Sequence, residues 1–61
     1  MTAAKLTVGA NVVINGKPAT VLAVGADAHR HGYIRLCYRY QSVGASLLEA
    51  SVPAETQLEA A

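Results

Sequence analysis

Two histidines spaced His29-x-His31 flank Arg30 in a polar stretch between Gly25 and Gly32, with Asp27 before them and Cys37 after them. Imidazole, carboxylate and thiolate are the donor types of transition-metal sites, so this stretch has metal-binding chemistry. A closed zinc site takes four well-placed donors, and these four are all that the neighbourhood supplies. The competing reading is a pair of solvated histidines; no metal or other cofactor is assigned. Cys37 offers a second chemistry. A thiol between Arg35 and Arg39 on one strand face would be a nucleophile if the arginines lowered its pKa and a histidine took its proton. No acid to orient that base and no oxyanion-binding loop accompany it, so Cys37 reads as a small filler and the chain is not expected to be an enzyme.

A third constellation carries the functional expectation. Tyr33, Arg35 and Arg39, preceded by His29, Arg30 and His31, bring an aromatic ring and several cations to adjoining positions. Such a set can stack bases while its charges meet phosphates, or form a protein contact surface rich in Tyr and Arg, or be a solvated strand face. Asn15-Gly16-Lys17-Pro18, by contrast, lacks the glycine spacing and the following helix of a phosphate loop and reads as a turn.

These residues need a scaffold, and the chain's hydrophobic periodicity supplies one. Tyr33 to Tyr40 alternates with a period of two, which predicts a strand with Ile34, Leu36, Tyr38 and Tyr40 on the buried face. A one-residue slip would bury Arg35 and Arg39, so the register is well specified. Upstream, Val12-Val13-Ile14 runs into Asn15-Gly16, a type I′ hairpin signal, and then a second strand over Ala19–Val24, with Pro18 tolerated at its start. Residues 25–32 read as an exposed loop. Downstream, a turn over residues 42–46 leads to a strand near Leu47–Val52, stopped by Pro53. A 3₁₀ turn over Pro53–Thr56 and a short last strand over Gln57–Ala60, anchored by Leu58, complete the pattern. A short C-terminal helix over the same residues is the alternative. Residues 1–8 are expected to be a flexible lead-in, with Leu6 and Val8 tucked against a single domain of residues 9–61.

Sixty-one residues allow one small core, which in chains this short usually needs a disulfide, a metal or a partner subunit to reinforce it. Cys37 is the only cysteine, so no internal bridge is possible. The apolar fraction of 52% is swollen by alanine, with three tyrosines and no Trp or Phe, so large core residues are scarce and self-association is expected. Net charge is +1, with all five Lys/Arg within residues 1–40 and Glu49, Glu55 and Glu59 after them, a weak sign of polyanion binding. No apolar run is long enough to span a membrane and the Met1-Thr2-Ala3-Ala4-Lys5 start lacks a signal-peptide core, so a cytoplasmic protein is expected.

The order of elements, with Gly9-x-x-Val12-x-Ile14-Asn15-Gly16 at one end and Val52-Pro53-Ala54-x-x-x-Leu58-Glu59 at the other, resembles the SH3-like barrel. That resemblance implies an all-β fold, a five-stranded barrel with a 3₁₀ turn before its last strand. Gly32-Tyr33-x-x-Leu36-x-Tyr38, followed by Glu49-Ala50, is similar to the C-terminal dimerisation domain of KorB-type plasmid partition repressors, which implies pairing with a second copy. Plasmid-borne type II dihydrofolate reductases are also SH3-like chains of this size. Their Val-Gln-Ile-Tyr motif is absent here, where the chain reads Glu49-Ala50-Ser51-Val52-Pro53.

The expected function is therefore a non-catalytic protein-interaction and self-association module, with Arg35 and Arg39 meeting carboxylates of a partner such as the acidic C-terminal segment of a second copy. The alternatives are a small nucleic-acid-binding protein using the Tyr/Arg face and the 28–32 loop, and a ligand or enzymatic site formed only at an oligomer pore. Fold alone does not choose among them.

Overall fold

The computed structural model describes residues 1–61. Four antiparallel strands, β1 (Asn11–Ile14), β2 (Lys17–Ala26), β3 (Tyr33–Tyr40) and β4 (Leu48–Pro53), form one sheet in the order β1-β2-β3-β4. β3 occupies the eight residues that alternate in the sequence. Leu36 and Tyr38 are buried on its inner side, Ile34 and Tyr40 are half-buried, and Arg35 and Arg39 are exposed on the other side.

The β1–β2 hairpin turns through two residues, because Ile14 pairs with Lys17 and both Asn15 (φ 53°) and Gly16 (φ 77°) are left-handed. That is the backbone of a type I′ turn. A side chain at Gly16 would meet no atom within 4 Å, so the cost of substituting it is conformational. Gly16→Val is expected to lower the unfolding free energy by about 1–2 kcal/mol. Urea titration reads this directly, and an unchanged midpoint would mean that the turn does not need the left-handed conformation.

β2 is longer than the Ala19–Val24 strand expected, and its pairing with β3 slips by one residue between Val21 and Ala23, which leaves Leu22 as the extra residue of a β-bulge. The bulge changes which side chains face inward: Ala19 and Val21 pack inside before it, Val24 after it. Leu22 is turned out and is 41% exposed.

Two apolar clusters fill the interior. Leu6, Val12 and Val21 form one and Ala19, Leu36 and Tyr38 the other, and half-buried Ile14 and Val24 pack against both. Tyr38 meets Tyr40 edge to face, with ring centroids 5.5 Å apart, and burial pushes the Tyr38 hydroxyl pKa up.

The two ends of the chain differ in part from the sequence expectation: Leu6 is tucked against the body as expected and Val8 is not. Residues 1–8 hold the only 3₁₀ helix, Ala3–Lys5, and supply Ala3 and Leu6 to the interior, while Val8 stays exposed. Their backbone is tied to the C-terminal segment: the Ala3 N–H donates to the Thr56 carbonyl (2.8 Å), the Ala4 N–H to Ala54 (3.0 Å), and the Leu58 N–H to Met1 (2.8 Å). A 3₁₀ helix that the sequence did not announce thus stands before β1, and the single turn expected at Pro53–Thr56 is also present, closed by the Thr56 N–H on the Pro53 carbonyl.

No regular fifth strand follows, nor a helix. Gln57 bridges to Thr2 and Ala60 bridges to Val12. The segment meets a different partner at each end, which interrupts any continuous ladder. No helix is long and apolar enough to cross a membrane.

Candidate binding face

The loop between β2 and β3 is pinned at its base. Asp27 accepts the His29 backbone N–H on one carboxylate oxygen (2.9 Å) and the Ser51 hydroxyl on the other (2.6 Å). Its own N–H donates to the Tyr33 carbonyl (3.0 Å), the Tyr33 N–H donates to Arg30, and the Ala54 N–H donates to Gly32. Asp27, a candidate metal donor in the sequence, is here a clamp between the loop and β4. No three His, Cys, Asp or Glu side chains converge as a metal-binding group.

The Ser51 hydroxyl, and after it the His29 amide, hold the Asp27 carboxyl below its ordinary 3.8. A lowered folded-state pKa stabilises the fold above the unfolded value, and the contribution is lost as pH falls through the folded value. Glu49, lowered by Arg35, acts with the same sign. The thermal midpoint should therefore fall on acidification below about pH 4, less steeply in Asp27→Asn. Equal acid slopes in the two proteins, measured by circular dichroism, would remove Asp27 from this role.

The cations of the face are in three different states. The Arg30 guanidinium lies 3.9 Å from the centroid of the Tyr33 ring, at the exposed loop, with the His29 and His31 side chains also exposed. Arg35 donates to Glu49 of the same chain (3.3 Å), with both side chains about half exposed. Arg35 was expected to meet carboxylates of a partner, and within the chain it meets one already: the β3–β4 register sets Glu49 beside Cys37, within reach of Arg35. The Arg39 guanidinium is exposed and forms no hydrogen bond or ion pair within the chain.

Cys37 donates to the second oxygen of Glu49 (3.5 Å). Burial, followed by the Glu49 carboxylate, pushes its thiol pKa up, the opposite of what a nucleophilic cysteine needs.

The six candidate residues are thus not one cluster. Tyr33 and Arg39 are separated by about 20 Å of strand, more than half of the molecule's 34 Å long axis. His29, Arg30, His31 and Tyr33 share the loop end. Arg35 stands between and is engaged. Arg39 pairs in register with Thr20 beside a polar group unmarked in the sequence reading: Thr20 donates to Asn11 (2.9 Å) and Gln41 donates to Asn11 (3.0 Å) and Thr20 (3.3 Å). The Ser51 and Glu49 contacts were also missed, and the strand register was the signal that would have found them. At the hairpin end, Lys17 lies 5.6 Å from the Tyr40 ring centroid.

No protein-family model matches the chain. No curated protein matches it either. Among solved structures, a translation initiation factor eIF-5A family protein from Naegleria fowleri is similar over 98% of this chain, with a TM-score of 0.67 and 22% identity. The match takes in 44% of that protein, so the chain spans less than half of its length. The likeness is one of fold.

Proposed function

We propose that the chain is a non-catalytic nucleic-acid-binding module, a small SH3-like barrel that uses the 28–32 loop and the outer face of β3. One observation carries the reading: the Arg30 guanidinium lies over the Tyr33 ring, 3.9 Å from its centroid, at an exposed loop that also carries His29 and His31. A planar cation preordered on an aromatic ring offers a stacking surface for a base and a charge for phosphate at the same point. Arg39, unpaired on the same sheet face, gives a second phosphate contact farther along. The fold neighbour is named as a translation initiation factor, which makes RNA the first nucleic acid to test.

The barrel reading is supported by the C-terminal segment, which lies along β1: the Val13 N–H donates to Glu59 and the Ala61 N–H donates to Asn11. The non-catalytic reading is supported by the raised Cys37 thiol and by carboxylates already committed to Ser51 and Arg35.

The test is fluorescence anisotropy of labelled single-stranded RNA over a range of salt. Affinity should fall with a log–log slope of about −0.7 for each phosphate contacted. No binding at low salt ends this reading.

A second reading, self-association, is favoured by the small interior. Seven of 61 residues are buried, while Val43, Leu47 and Leu48 are exposed at the start of β4 and in the turn before it.

A further inference from the structure

We infer that β4 pairs along its open edge with β4 of a second copy, antiparallel about a two-fold axis at Ala50; this rests on the self-association reading. The sheet has two edges, and they differ. β1 is covered by the C-terminal segment, through the Val13 N–H on Glu59 and the Ala61 N–H on Asn11. β4 has β3 on one side and no strand on the other.

The backbone parity says which groups that edge presents. The Asp27 N–H donates to Tyr33 and the Gln41 N–H to Pro18, so the odd-numbered residues of β3 turn toward β2. The Ala54 N–H on the Gly32 carbonyl turns the even ones toward β4. Pairing of Ile34 with Val52, Leu36 with Ala50 and Tyr38 with Leu48 then spends the backbone groups of Leu48, Ala50 and Val52 on β3. The N–H and C=O of Glu49 and Ser51 point outward, and the hydrogen bonds outside regular pairing include none from them. The guards on this edge are few: Glu49 and the terminal Pro53, with no lysine, no earlier proline and no bulge.

Three antiparallel registers bring outward groups together, and one satisfies them. Glu49 opposite the partner's Glu49 sets like charges face to face. Ser51 opposite the partner's Ser51 brings Glu49 against Pro53, which has no N–H. Glu49 opposite the partner's Ser51 pairs every outward N–H and C=O of both residues in each copy, and places Leu48 opposite the partner's Val52 on the apolar side.

Charge complementarity selects a second copy as the occupant. Arg35, bonded to its own Glu49, pairs in register with Ser51, so the partner's Glu49 opposite Ser51 extends that ion pair across the seam as the row Glu49, Arg35, Ser51, the partner's Glu49, and its symmetric equivalent runs back.

Light scattering over a concentration series should give twice the mass of one chain, falling toward one on dilution. Ser51→Pro removes an outward N–H and no backbone bond to β3, and should weaken the dimer about tenfold or more relative to Ser51→Ala, which loses the same hydroxyl bond to Asp27 but keeps the N–H, with circular dichroism reporting the fold. In a Cys37→Ser background, Ala50→Cys should form an interchain disulfide in air, since facing Cα atoms in a non-hydrogen-bonded pair lie about 4.5 Å apart; Glu55→Cys should not. Should Ser51→Pro fail to fold, the disulfide decides. A wild-type chain of single mass at every concentration overturns self-association and the edge together. A dimer that Ser51→Pro leaves intact and Ala50→Cys does not lock keeps self-association and overturns the edge.

Discussion

Leu36→Ala will unfold at far lower urea than the native chain, or be unfolded in water. Leu36 is among the largest fully buried side chains, 2% exposed, on the interior strand β3, where it joins Ala19 and Tyr38 in a cluster against which the half-buried Ile14 and Val24 pack. Truncating such a leucine costs about 2–5 kcal/mol, because the lost transfer energy is joined by a cavity that the sheet cannot close. A core in a chain of this length rarely supplies more than about 3–5 kcal/mol in total. The loss is therefore comparable to the whole stability. Val43→Ala is the matched control: Val43 is fully exposed, and the change should stay within about 0.5 kcal/mol. Both are read from urea midpoints at one fixed protein concentration, since association would shift them. A Leu36→Ala midpoint equal to that of Val43→Ala would show that the inner face of β3 is not what holds the sheet together.

The local features of this fold were legible, and the non-local ones were not. β3 was readable end to end because polar and apolar residues alternate there without a break, and the Asn15-Gly16 turn because few residues adopt two successive left-handed conformations. The bulge at Leu22 was hidden: Val21, Leu22, Ala23 and Val24 are all apolar, so no change of pattern marks the residue at which the strand changes face. Burial of Ala3 depends on bonds to Ala54 and Thr56, more than fifty residues away, and alanine and threonine carry little directional signal. The terminal strand was expected from Leu58, yet a residue that anchors a segment does not by itself extend a ladder. At the candidate face, residue types were readable and pairings were not. Arg35 is indistinguishable from Arg39 in sequence, and only the β3–β4 register makes one half of an ion pair and leaves the other free.

That difference between the arginines sets the second large effect. Arg30→Ala should weaken single-stranded RNA binding about tenfold, losing both a stacking surface and a charge, and reduce the salt slope by about 0.7. Arg39→Ala should reduce the slope by a similar amount with a smaller loss of affinity, as no ring lies beneath it. Because the two sites are about 20 Å apart along the strand, their effects should add, giving a double variant whose residual binding is nearly independent of salt. Arg30→Lys separates the two contributions: the slope returns with the charge, while the stacking loss persists, since an ammonium cannot lie flat against a base as a guanidinium does. Arg35→Ala should change affinity least, its charge being already offset by Glu49 at 3.3 Å. Should Arg35→Ala instead prove the most damaging of the three, the Arg35–Glu49 pair would have to open on binding, and the contact surface would lie on the middle of β3 rather than on the loop.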